Sequence, residues 1–154
     1  MAFRFRAQAA LDLRSRELQD AQRELAKRQG DRDRAQLRVS EAGEALTAAR
    51  AKASEAQRTV TDCTALQWYQ FWILRLDHER TAHAATLAAR EEAVMQARAA
   101  CLRAQQKRDS LERFRDKAQL AYESAQAATE RKLFDELATR RYAVTRQSVG
   151  LRDS

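Results

Sequence analysis

Proline is absent from all 154 residues, and glycine occurs only at Gly30, Gly43 and Gly150. Without those residues the chain lacks the usual punctuation of strand-turn-strand architecture. A fold with many tight connections is excluded. Cysteine is almost as scarce: Cys63 and Cys101 stand alone, with no CxxC spacing. They read as small apolar helix residues, not as a disulfide framework or a metal site. Nor does any apolar run approach the ~18 residues of a membrane span. The opening Met1-Ala2-Phe3-Arg4-Phe5-Arg6 leads into a stretch broken by Asp12, Arg14 and Arg16, so it has no apolar centre of the kind a secretion signal needs.

Catalytic signatures are missing too. There is no glycine-rich loop to cradle nucleotide phosphates, no GxSxG and no HExxH. Carboxylate neighbours such as Glu91-Glu92 and Asp135-Glu136 point to different faces of a helix and read as solvent charges rather than an acid/base couple. His78 and His83 have no Cys or carboxylate at ligand spacing around them. No catalytic residue, metal ligand or cofactor is expected, and the chain reads as a non-enzyme.

What fills the chain is Ala, Arg, Gln, Glu and Leu, all strong helix formers. Charged residues make up 33%, with Lys and Arg exceeding Asp and Glu by 29 to 22. The excess is spread: residues 1–60 hold 13 basic and 9 acidic side chains, residues 61–154 hold 16 and 13. An even mixture of signs is the usual solvated surface of a long helix, whereas a nucleic-acid binder would show a localised basic stripe.

Two apolar ladders run through this charge. Leu11, Leu18, Leu25, Val39, Leu46, Ala53 and Val60 recur every seven residues, broken only at Arg32. Three places after the ladder positions stand Ala21, Ala35, Ala42, Ala49, Ala56 and Cys63. Such a sustained a/d heptad predicts a coiled coil. The alanines allow close approach and fit an antiparallel pair. Arg14, Arg28 and Arg32 flaw the seam, and their heads can reach out of it. A second ladder holds Tyr69, Ile73, Leu76, His83, Leu87, Val94, Ala97, Cys101, Ala104, Leu111, Ala118 and Ala125. Its register loosens after Arg108, where Phe114, Ala121 and Ala128 compete, and Leu133, Leu137 and Val144 restart an apolar stripe.

Between the ladders lies Thr59-Val60-Thr61-Asp62-Cys63-Thr64. Its β-branched residues weaken helix, and Asp62, Thr61 or Thr64 is placed to cap a new one. The expectation is therefore an all-α, single-domain chain over 1–154, a long two-helix antiparallel coiled-coil hairpin. Helix one covers about 3–58, the turn about 59–63 and helix two about 64–146. Helix one is on the order of 80 Å long. Helix two outruns it by roughly 25 residues, a length only marginally helical alone in water, so the projecting extension takes its order from another protein.

Aromatic residues are few, five Phe, three Tyr and two Trp, yet four of them fall at Trp68, Tyr69, Phe71 and Trp72. On the second ladder's phase, Tyr69, Ile73 and Leu76 lie on the seam, while Trp68, Phe71 and Trp72 fall outside it. The knot is either a plug for the hairpin tip or a contact site. A two-helix rod lacks the interior to hide it all, and exposed aromatics on a charged rod favour contact.

Three runs resemble one family, the FliJ proteins of the flagellar type III export apparatus. They are Phe3-Arg4-Phe5-Arg6 leading into Leu11-Asp12-Leu13-Arg14, then Tyr69-Gln70-x-Trp72-Ile73-x-x-Leu76 with His83 and Leu87, then the tail from Glu130 through Leu133-Phe134-Asp135-Glu136-Leu137 to Arg141. The resemblance implies a fold similar to the central stalk of rotary ATPases, standing in the pore of the hexameric export ATPase FliI. It also implies contact with the export gate FlhA, escort of substrate chaperones, and association with the ATPase regulator FliH. It places the protein in the cytoplasm, peripheral to the inner face of the cell membrane, with no nucleic acid and no membrane insertion. Trp72, Leu76 and His83 match family positions that face the gate, which makes Trp68, Phe71, Trp72, Leu76 and His83 the expected gate-binding set. On helix one this chain offers Arg38, Ala42, Ala45 and Ala49 where members often carry larger residues. Lys132, Asp135, Glu136 and Arg140 match the tail pattern and are the expected ATPase-binding set. Two other readings stand beside this one: the homologous stalk of a virulence type III secretion system, and a basic coiled-coil adaptor for nucleic acid or acidic membrane surfaces. The FRFR opening favours the flagellar branch.

Overall fold

Two helices account for almost all of the computed structural model, α1 over Gln8–Thr59 and α2 over Cys63–Gly150. It describes residues 3–59 and 62–150. Val60 and Thr61, one expected in the seam and the other a candidate cap, both within the expected turn, lie outside the described residues. Among the described residues there is no strand.

Helix runs this long because nothing in the sequence stops it. Threonines, the commonest β-branched residues here, turn their hydroxyls back onto the helix: Thr47 donates to the Gly43 carbonyl at 3.0 Å and Thr81 to that of Asp77 at 2.9 Å. Ion pairs along the surface, such as Arg28 with Glu24 at 2.6 Å and Arg75 with Glu79 at 3.2 Å, add about 0.3–0.5 kcal/mol each. Asp62 caps α2. Its Oδ1 accepts from the Thr64 backbone N–H at 2.9 Å, meeting a donor that the first helical turn leaves unpaired.

Tertiary contacts divide the chain into two compact units. The larger, Arg14–Gln106, is an antiparallel hairpin of α1 against α2. Arg50 of α1 lies 4.0 Å from Asp77 of α2, and further along Arg38 lines a cleft with His83, so α1 numbers fall as α2 numbers rise. The seam follows the heptads. Leu18, Ala35, Leu46, Ala49, Ala53, Ala56 and Val94 are buried, with Leu46 only 2% exposed. Leu25, Val39, Ala42, Tyr69, Ile73, Leu76, Leu87, Ala97 and Cys101 are half-buried. Two helices cover each other from one side only, which is why α2's larger side chains stay partly open. Cys63, expected on the seam, is exposed, because it starts α2 where the pairing has only begun. Arg14, Arg28 and Arg32 are half-buried in the seam line with their heads paired along the helix. Arg32 Nε sits 2.8 Å from Asp33 Oδ1 without the angle of a hydrogen bond and is otherwise unsatisfied.

The second unit joins residues 1–13 to 107–154, described over 3–13 and 107–150. Here α1 begins at Gln8, later than the expected residue 3. Phe3 to Phe5 are not helical because their rings are used elsewhere. Phe5 is buried, with its ring centre 5.7 Å from that of Phe114, and Phe3 lies 5.6 Å from Tyr122. Pairs at that separation are favourable beyond their buried area. The Gln8 N–H donates to the Phe5 carbonyl at 3.3 Å, and Leu11, also buried, begins the apolar ladder. On α2, Leu111 and Ala118 are half-buried, whereas the expected seam member Ala125 is exposed, as are Ala121 and Ala128. From Glu123 to Arg146 every side chain is exposed.

Candidate functional site

The aromatic knot lies in the first turns of α2, where Asp62 fixes the helix start. Phe71 is 79% and Trp68 58% exposed. Together with Trp72, Thr64, Gln67 and Arg75 they line a shallow groove. The rings are held against one another: Trp68 meets Trp72 at 5.4 Å and Tyr69 edge-on at 5.3 Å. Leu74, on the side away from the seam, is also exposed.

Trp72 departs from its expected place outside the seam. It is half-buried, and the ammonium of Lys52 on α1 lies 5.9 Å from its ring centre. The indole is wide enough to start outside the seam and reach α1 from there. A Lys stem also lies readily along such a surface while its charge stays in water. Trp72 is therefore both a wall of the groove and a joint between the helices.

The other two expected gate residues sit differently. Leu76 is a half-buried seam residue. His83 is half-buried eleven places beyond Trp72, roughly 16 Å along the helix, and so belongs to another surface. It lines a small polar cleft with Asp31, Arg34 and Arg38 of α1 and Thr86 and Arg90 of α2. Asp31 is bonded to Arg34, while Thr86 turns its hydroxyl onto the Ala82 carbonyl at 3.1 Å. On the α1 side Arg38 and Ala45 are exposed, Ala42 half-buried and Ala49 buried, which leaves little apolar surface to extend the groove.

In the other unit Lys132, Asp135, Glu136 and Arg140 are all exposed on α2, and none forms an ion pair among the described residues. Helical spacing spreads them over the side opposite Phe134. Large apolar side chains occupy the rest of the circumference. Leu133, Leu137 and Val144 share one line at i, i+4 and i+11, flanked by Phe134, and all four are more than half exposed. Their signal was the apolar stripe that restarts at Leu133.

Among the described residues no group of three or more His, Cys, Asp or Glu is placed to hold a metal ion, and no helix is long and apolar enough to cross a membrane. A family model described as "Flagellar FliJ protein" matches residues 4–147. No curated protein and no solved structure matches the chain.

Proposed function

The chain belongs to the flagellar FliJ protein family, and on that premise we propose that it is the non-enzymatic stalk of the flagellar type III export machine, which promotes assembly and hydrolysis by the hexameric export ATPase FliI. The observation that best supports this reading is the end of α2. A helix carrying Leu133, Phe134, Leu137 and Val144 exposed in series has apolar surface that no other described residue covers. Faces of that kind are normally covered by a partner. A pore lined by a ring of subunits can cover a single helix from every side, which fits a segment where no residue from 123 to 146 is sheltered. Lys132, Asp135, Glu136 and Arg140 then meet polar groups of the pore, while the apolar line supplies most of the binding.

In the same reading the groove of Trp68, Phe71 and Trp72 docks the export gate FlhA. Two wide, rigid aromatics and an exposed Phe bring large contact area at low entropic cost. Leu76 and His83, the other residues of the expected gate set, lie outside this groove, in the seam and in the polar cleft, and would meet the gate only through a second contact further along α2. FliH and the substrate chaperones complete the partners, and the protein works in the cytoplasm at the inner face of the membrane. The direct test is to add the purified chain to its cognate export ATPase and follow ring assembly and phosphate release together. Both rise if the reading is right, and no change in either overturns it.

A further inference from the structure

One cleft in the Arg14–Gln106 unit collects positive charge that its own carboxylates do not answer. It opens between the two helices above the buried Ala35 and has a volume of about 130 Å³. Arg34 and Arg38 of α1, four residues apart, stand on one side. His83 and Arg90 of α2, seven residues apart, stand on the other with Thr86 between them. Both spacings return to the same face of a helix, so these side chains meet at one opening. Among the described residues the only acid lining it is Asp31, which is already bonded to Arg34. Arg38 and Arg90 make no ion pair or hydrogen bond among the described residues, although Glu41 and Glu91 lie within a turn of them.

Arginines on the seam line are treated differently. Arg14 is answered by Glu17, Arg28 by Glu24, and Arg108 by Asp109 and Glu112, each from its own helix. At the cleft two guanidiniums from opposite helices share one opening with no carboxylate left for them. Like charges so placed repel, and the hairpin is weaker there until an anion enters. With Asp31 and Arg34 cancelling, the charge that remains is that of Arg38 and Arg90, which matches a dianion.

The donors say which dianion. Each guanidinium presents a planar fork that suits two oxygens of a phosphate, and the His83 ring carries an N–H in either protonation state. Thr86 adds no donor, because its hydroxyl is committed to the Ala82 carbonyl. Pockets for drug-sized ligands run to roughly 300–1,000 Å³, so this cleft takes one tetrahedral group and not a nucleotide. We infer that the cleft between Arg38 and Arg90 binds a free phosphate dianion, which bridges α1 to α2. A ligand held only by the folded chain stabilises that fold as its concentration rises. The site needs neither the tail nor the aromatic groove, and it stands whether or not the ATPase reading holds.

The test titrates the full chain with orthophosphate at mildly alkaline pH, where that ion is largely the dianion. Sodium chloride holds the ionic strength constant. Phosphate raises the melting temperature of the native chain along a curve that follows a single binding site. Arg38→Gln and Arg90→Gln each weaken the binding at least about tenfold. Arg98→Gln, on the same helix as Arg90 but outside the cleft, leaves it unchanged. All three arginines are exposed, so helicity by circular dichroism stays the same. In chloride alone Arg38→Gln melts no lower than the native chain, and in phosphate it melts lower. A merely structural arginine gives no such reversal. Phosphate that strengthens all the variants equally, as a general salt effect does, overturns the inference. So does a native melting temperature that phosphate leaves unchanged.

Discussion

Lys52 of α1 holds its ammonium 5.9 Å from the centre of the Trp72 indole on α2. That relationship separates the members of one aromatic cluster by role. Trp72 is tied to both helices, Trp68 leans on it, and Phe71 is the most exposed of the three at 79%.

Truncating the cluster should therefore give unequal results. Phe71→Ala removes an exposed ring and changes stability by no more than about 0.5 kcal/mol. Trp72→Ala loses the contact with Lys52 and Trp68 and costs about 1–3 kcal/mol. Urea melts of the two variants measure the difference, and equal losses would contradict the assigned roles. Because Phe71 leaves the fold intact, it is the cleaner probe of gate binding, and Phe71→Ala should weaken that binding without altering the melt.

In the hairpin seam, Leu46 is the large side chain most completely enclosed, among alanines that bring the helices together. Leu46→Ala should cost about 2–5 kcal/mol. Leu137→Ala, at an exposed position near the end of α2, should stay within about 0.5 kcal/mol. Denaturant midpoints for the pair check that the seam, and not the tail, holds the fold.

The heptads were the most legible part of this chain. Leu18, Leu46, Ala49 and Val94 fall where seven-residue spacing puts them, since a repeat that long has one helical interpretation. The cap was readable as one of three choices, and side-chain geometry selects Asp62. Two things were not readable. Periodicity gives the direction of Trp72 from its backbone but not the reach of an indole, so its contact with α1 was invisible. The helical phase also gave no hint that Phe3 and Phe5 would leave the helix to meet Tyr122 and Phe114, because ring pairing across the fold depends on tertiary position. The apolar tail stripe was visible at Leu133, Leu137 and Val144. Its exposure was not, because periodicity says which side chains share a line but not whether another element covers them.

The non-helical start of the chain is a strap fastened by Phe5. Removing that ring should cost on the order of 2 kcal/mol of local stability. Hydrogen exchange of Phe5→Ala should speed up over residues 8–13 and remain unchanged over residues 46–56. Uniform acceleration of both stretches would show that the strap is not a local device.

Asp62→Ala leaves the first N–H groups of α2 without their side-chain acceptor and should cost about 1 kcal/mol. Asp62→Asn, which keeps an acceptor, should recover most of it, as a thermal melt of both variants will show.

The central claim is that the apolar end of α2 engages the export ATPase. Its most direct test is phosphate release by the cognate ATPase in the presence of the native chain or of a variant with Leu133→Glu and Phe134→Glu. Both side chains are exposed, so the variant keeps its helicity and melting temperature. The native chain should raise hydrolysis, and the variant should leave it near the level of the ATPase alone. Stimulation by the variant equal to that of the native chain would contradict the account.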